Sequence, residues 1–139
     1  MEKKLGKIES VRFGHGGYQD ACIGLSVTIG NGSWGVGDFK GGWDPEMIKR
    51  SENTKWTEED RTKGFDDTMR FVSKLLKEAD VDSVDQLKDI PVEVTFDGMM
   101  LKEWRILTEV ICLYLSNVLF GGVVAVKACA IDASFSVSL

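Results

Sequence analysis

Apolar and polar positions alternate most cleanly over residues 21–29, where Ile23, Leu25, Val27 and Ile29 recur at a spacing of two. That period is the signature of a strand with one buried face. Residues 6–13 carry a less regular version with Ile8, Val11 and Phe13, and Gly14-His15-Gly16-Gly17 follows as a turn that calls for positive φ. Asn31-Gly32 is a strong short hairpin signal. Over residues 33–40, Trp34, Val36 and Asp38 share one face, and Gly35, Gly37 and Phe39 the other. Residues 6–40 therefore predict a three-stranded antiparallel meander, broken by Gly41-Gly42-Trp43-Asp44-Pro45. Residues 45–56 are polar and read as loop, or as loop with a short helical turn.

The period then changes to that of a helix. Phe65, Met69, Val72, Leu75, Leu76 and Ala79 form an apolar stripe at helical spacing. Thr57 with Asp60 makes a capping-box variant, and Glu58, Glu59 and Asp60 place negative charge at the positive end of the helix dipole. The helix is predicted over residues 57–79. Ser83-Val84-Asp85-Gln86 opens a short second helix through Leu87, ended by Pro91. Val92, Val94 and Phe96 alternate with Glu93 and Thr95 as a half-exposed strand, Asp97-Gly98 turns the chain, and residues 101–111 predict the return strand. The fold class is α+β: an N-terminal meander, one long amphipathic helix, a short helix and a C-terminal hairpin.

Residues 110–126 carry no charge, and 112–139 hold only Lys127 and Asp132. Seventeen uncharged residues stand at the lower limit for a membrane helix. Ser116, Asn117 and Gly121-Gly122 interrupt the run and no basic cluster flanks it, which favours a β-hairpin turning at the glycines over a hydrophobic helix. A third reading makes the segment an addition to a domain complete by Ile111. The domain is therefore drawn as 1–111, with 112–139 an apolar extension, and no membrane partner is expected.

Composition changes this picture little. A chain of 139 residues with 43% apolar content suits one core. The net charge of −5 argues against general nucleic-acid binding, which needs a positive field. Cys22, Cys112 and Cys129 form no metal or redox spacing and read as small residues of a reducing compartment, the cytoplasm. No signal-peptide pattern opens the chain.

Candidate chemistry is sparse. The Gly14–Gly17 amides, including those of Gly16 and Gly17, can form an anion-binding concavity, with Arg12 and His15 beside them, but no Gly-Lys-Ser/Thr follows and a plain hairpin turn is the simpler reading. Tyr18 and Gln19, with Asp20, offer hydrogen bonds to a base or ribose, against turn chemistry with Tyr18 packed on the sheet. Trp34, Phe39 and Trp43 lie among Gly35, Gly37, Gly41 and Gly42, where flat rings beside small residues leave room for a planar ligand; a Trp in a small sheet is more often core or interface. Arg105 can hold two phosphate oxygens at once, or pair with Glu93 across the hairpin. His15 is the lone histidine, and no nucleophile, base and orienter are assembled, so catalysis, a metal and a cofactor are not expected.

The runs 13–21 (FGHGGYQDA), Gly24-Leu25, 34–39 (WGVGDF), 90–96 (IPVEVTF) and 101–110 (LKEWRILTEV), with Thr57-Glu58 and 84–87 (VDQL) between them, resemble a family of short phage and prophage accessory proteins over residues 8–111. Within such proteins the layout is similar to the Thoeris anti-defence sponges. That resemblance implies a non-catalytic homo-oligomer in the host cytoplasm that sequesters a small nucleotide immune signal of the cyclic ADP-ribose type. Arg12 and Arg105 would then hold phosphate, Trp34 and Trp43 would stack a base, and the glycine amides would assist. The rival expectation is a protein-interaction module that inhibits a host defence complex or acts in phage assembly, with the aromatic cluster as its hot spot.

Overall fold

A computed structural model describes residues 1–47 and 55–111. Its elements are β1 (Glu2–Gly16), a 3-10 turn (Tyr18–Asp20), β2 (Cys22–Gly30), β3 (Gly35–Trp43), α1 (Glu58–Ala79), a 3-10 turn (Val84–Leu87), β4 (Pro91–Asp97) and β5 (Met100–Ile106). The α+β class holds. The meander and the C-terminal hairpin are not separate, however: they join as one antiparallel sheet of order β3-β2-β1-β4-β5.

β1 makes this possible by its length. Its first half pairs with β4 from Glu2–Phe96 to Lys7–Pro91. Its second half pairs with β2 from Lys7–Gly30 to Gly16–Cys22. Glu9 is an extra residue between the Ile8–Ile29 and Ser10–Thr28 pairs, a bulge that bends the strand where its halves meet. The two hairpins thus sit on opposite sides of β1, offset along it. Trp104 on β5 donates from Nε1 to Asp38 Oδ2 on β3 at 2.7 Å. A flat sheet would hold those edge strands roughly 19 Å apart, so the sheet is curled until its two edges meet on the core side.

α1 fills the concave side. Thr57 and Asp60 close the predicted capping box, with Asp60 N–H bonding Thr57 Oγ1 at 3.2 Å and Thr57 N–H bonding Asp60 Oδ2 at 3.0 Å. Val72, Leu75 and Ala79 pack with Ile8, Leu25, Val27, Ile29, Val92, Val94 and Ile106 as the core. Met69 departs from the predicted stripe and is exposed; Thr68 is buried in its stead, its hydroxyl donating to Gly64 C=O at 2.6 Å. The helix crosses β3 at Gly42, where a Cβ would stand 2.2 Å from the Phe65 ring, so only glycine admits this approach.

Four boundaries move. β1 runs on through Gly14 and Gly16, β3 through Trp43, and Pro91 opens β4 instead of ending a helix. The return strand stops at Ile106, and residues 108–111 are helical, where continued strand was predicted. The predicted tail, 112–139, and the polar loop over 48–54 lie outside the described residues. Among the described residues no helix is long and apolar enough to cross a membrane.

Candidate functional site

The residues with the least structural occupation gather where β1 turns into β2. Gly17 takes φ 75° and Gln19 φ 56°, which bends the chain sharply through Tyr18–Asp20. The turn is anchored from below: Ala21 is buried and its C=O accepts from Asp44 N–H at 2.8 Å. Asp44 therefore emerges from the end of β3 directly beside the end of β1, and His15 Nε2 lies 3.2 Å from its Oδ2. The Glu46 N–H bonded to Asp44 Oδ1, followed by the His15 contact, holds the Asp44 carboxyl below its usual range. Trp56 leans on Trp43 with centroids 5.8 Å apart. The Arg61 guanidinium lies 5.3 Å from the centre of the Phe65 ring.

Large apolar side chains stand in solvent at these strand ends: Tyr18 is 76% exposed and Phe13 47% on the β1–β2 side, and Trp56 39% against Trp43 at the end of β3. Their backbones are held by strands, caps and the Ala21–Asp44 bond, so the surface is presented by fixed main chain. Chemically it offers aromatic faces, a phenol, an imidazole–carboxylate pair and a guanidinium. Cys22 does not join it. Its side chain shares the opposite sheet face with Gly16, and burial pushes its pKa up, which keeps it a thiol.

The sequence-predicted residues divide among three places. Arg12, Gly16, Gly17, Tyr18 and Gln19 share the glycine-turn end, and Trp43 lies beneath it, 5% exposed and closed to a stacking base. The amide concavity does not form. Gly14 and Gly16 pair with Gly24 and Cys22 in the ladder, and Gly17 alone departs from extended backbone. The room beside the glycines is taken as well. The Phe39 ring lies so close over Gly16 and Gly41 that a Cβ would come within 2.8 and 2.7 Å of it. Trp34 sits at the far end of the same hairpin on the core side, over Gly6 and edge-on to Phe96 at 5.6 Å, with Lys4 Nζ 5.9 Å from its centre. Arg105 points from the outer face of β5 and is taken by carboxylates, Nε to Glu93 at 3.1 Å and Nη2 to Glu109 at 3.2 Å. The Arg105 bond holds the Glu93 carboxyl below its usual range, and the main-chain N–H of Glu109, followed by Arg105, does the same for the Glu109 carboxyl. The pairing of Arg105 with Glu93 across the hairpin is the arrangement found.

Sequence reasoning passed over Phe13, Asp44, Met47, Trp56 and Arg61. Phe13 and His15 continue the spacing of Val11 through the glycines, which was the available signal. An apolar groove of about 370 Å³ lies elsewhere, between Ala79–Val81, Lys88–Pro91 and Val110–Ile111, and none of the predicted site residues lines it. No protein-family model, curated protein or solved structure matches this chain.

Proposed function

We propose that this chain acts by binding and not by turnover, and that its target is a protein engaged at the glycine-turn end of the sheet. The observation that carries this reading is the exposure of Phe13 and Tyr18 on either side of His15, which pairs with Asp44, with Trp56 exposed against Trp43 at the neighbouring end of β3. Aromatic side chains with an arginine at their rim are the usual anchors of protein interfaces, and losing one such anchor costs about 2 kcal/mol or more. The setting is the host cytoplasm, where inhibition of a defence complex or a step in phage assembly fits a small non-catalytic binder. The test is affinity capture from host lysate with the wild type, Tyr18→Ala and Trp56→Ala. A stoichiometric protein held by the wild type and lost from both variants supports the reading. Equal capture by all three removes it.

A second reading keeps the small nucleotide signal. It is favoured by Arg12, whose exposed guanidinium bonds only the His15 carbonyl among the described residues and so keeps its charge for a phosphate. Tyr18 and Gln19 stand next to it. Calorimetry against cyclic ADP-ribose isomers should then give heat with the wild type and about tenfold weaker binding with Arg12→Gln, as for loss of one charge-assisted bond. No heat with any isomer ends this reading.

A further inference from the structure

Among the described residues, one side of β1 is bare beyond β4. Asn31 N–H bonds Trp34 C=O and closes the β2–β3 hairpin. Main-chain groups alternate sides along a strand. From that closing pair, the groups of Ile29, Val27, Leu25 and Ile23 face β3. Their β1 partners, Ile8, Val11, Phe13 and His15, must then turn their N–H and C=O away from β2. Ile8 does so, bonding Ile90 C=O at 3.0 Å and Asp89 N–H at 2.8 Å. Val11, Phe13 and His15 continue past the end of β4. Among the described residues the one bond made there is from Arg12 Nη2 to the His15 carbonyl. This is a strand edge with three donors, three acceptors and an exposed Phe13 at its middle.

We infer that a second copy of this chain pairs with this edge, antiparallel, across a two-fold axis through Phe13. The sequence is self-complementary in that register. Phe13 faces Phe13 of the second copy, Val11 faces its His15, and Arg12 faces its Gly14. About six main-chain hydrogen bonds form, two for each outward-facing pair. Shifting the axis to Arg12 sets two guanidinium groups directly opposite, which is destabilising. Shifting it to Gly14 leaves Val11 without a partner. Val11 N–H of the second copy takes the His15 carbonyl and releases Arg12. The two arginines then flank the axis on the outer face, with backbones about 8 Å apart. The dimer shares Phe13 with the first reading and Arg12 with the second, but its test uses the chain alone, so it and they fail separately.

Sedimentation of the wild-type chain over a wide concentration range tests it, together with hydrogen exchange at the two ends of that range. A reversible dimer is expected, in which the amides of Val11, Phe13 and His15 exchange about tenfold more slowly at high concentration while the rest of the sheet is unchanged. Phe13→Lys opposes two charges on the axis and weakens the dimer by about tenfold or more. Should that variant fail to fold, the exchange pattern of the wild type decides. A monomer at every concentration, or a dimer whose protected amides lie elsewhere, overturns the inference.

Discussion

The two halves of β1 are one strand under opposite management. Among the described residues each half is paired on one side only: Glu2–Lys7 with β4, and the stretch beyond the bulge with β2. The first half carries Glu2, Lys3, Lys4 and Lys7. Lys4 also reaches over Trp34 and Phe96, and Lys3 and Lys7 form ion pairs with Glu93 and Asp89. Charge of this kind keeps a foreign strand away from an edge. The second half offers Val11, Phe13 and two glycines, with Arg12 turned to the outer face. One half is defended and the other is left open, and the difference lies in side-chain choice, since the backbone is the same extended chain.

The largest break in this comparison comes at its pivot. Ile8→Ala removes a fully buried side chain where the two halves meet, and should cost about 2–5 kcal/mol, read as a lower urea midpoint with unchanged slope. Next comes the contact that ties the outer strands of the two hairpins. Trp104→Phe leaves the Asp38 carboxylate without its indole donor and should cost about 1–3 kcal/mol in a thermal melt. Removing the guard is milder. Lys3→Thr with Lys4→Thr should change stability by about 1 kcal/mol or less, because exposed ion pairs contribute little. It should nonetheless raise the tendency to associate, seen by light scattering. The smallest effect is the pH response of Glu93. Its carboxyl is lowered in the fold by the Arg105 hydrogen bond and then by Lys3, so it stabilises the fold when ionised. That contribution is present above its ordinary value of 4.5 and fades as pH falls through the lowered one. Glu93→Gln should flatten the loss of stability below that value, measured as melting temperature against pH; an unchanged slope would falsify the assignment.

Much of the architecture could be read from the chain. Thr57 and Asp60 announced α1, Asn31-Gly32 and Asp97-Gly98 announced both hairpins, and the spacing of Ile23 to Ile29 announced β2. The extents of β1 and β3 could not be read, because glycine signals a turn in sequence while here it makes space. Gly16 and Gly41 lie under Phe39, and Gly42 lies under α1. The Gly121-Gly122 hairpin expected in the tail falls outside the described residues. The candidate site was legible in part. Tyr18, Gln19, Gly17 and Arg12 were placed at the surface they occupy. Trp34, Trp43 and Arg105 were grouped with them because the spacing within a strand does not say which of its faces turns to the core or which strand lies beside it.

The hydrogen bond between Asp38 and Trp104 also orders events in time. The two residues are 66 positions apart and lie on the sheet's opposite rims, so they can meet only after each hairpin has docked on β1. Local turns form fast and distant closures slowly. Joining the rims is therefore expected late in folding, and the fluorescence of the half-buried Trp104 indole should settle after the backbone signal in a stopped-flow refolding trace.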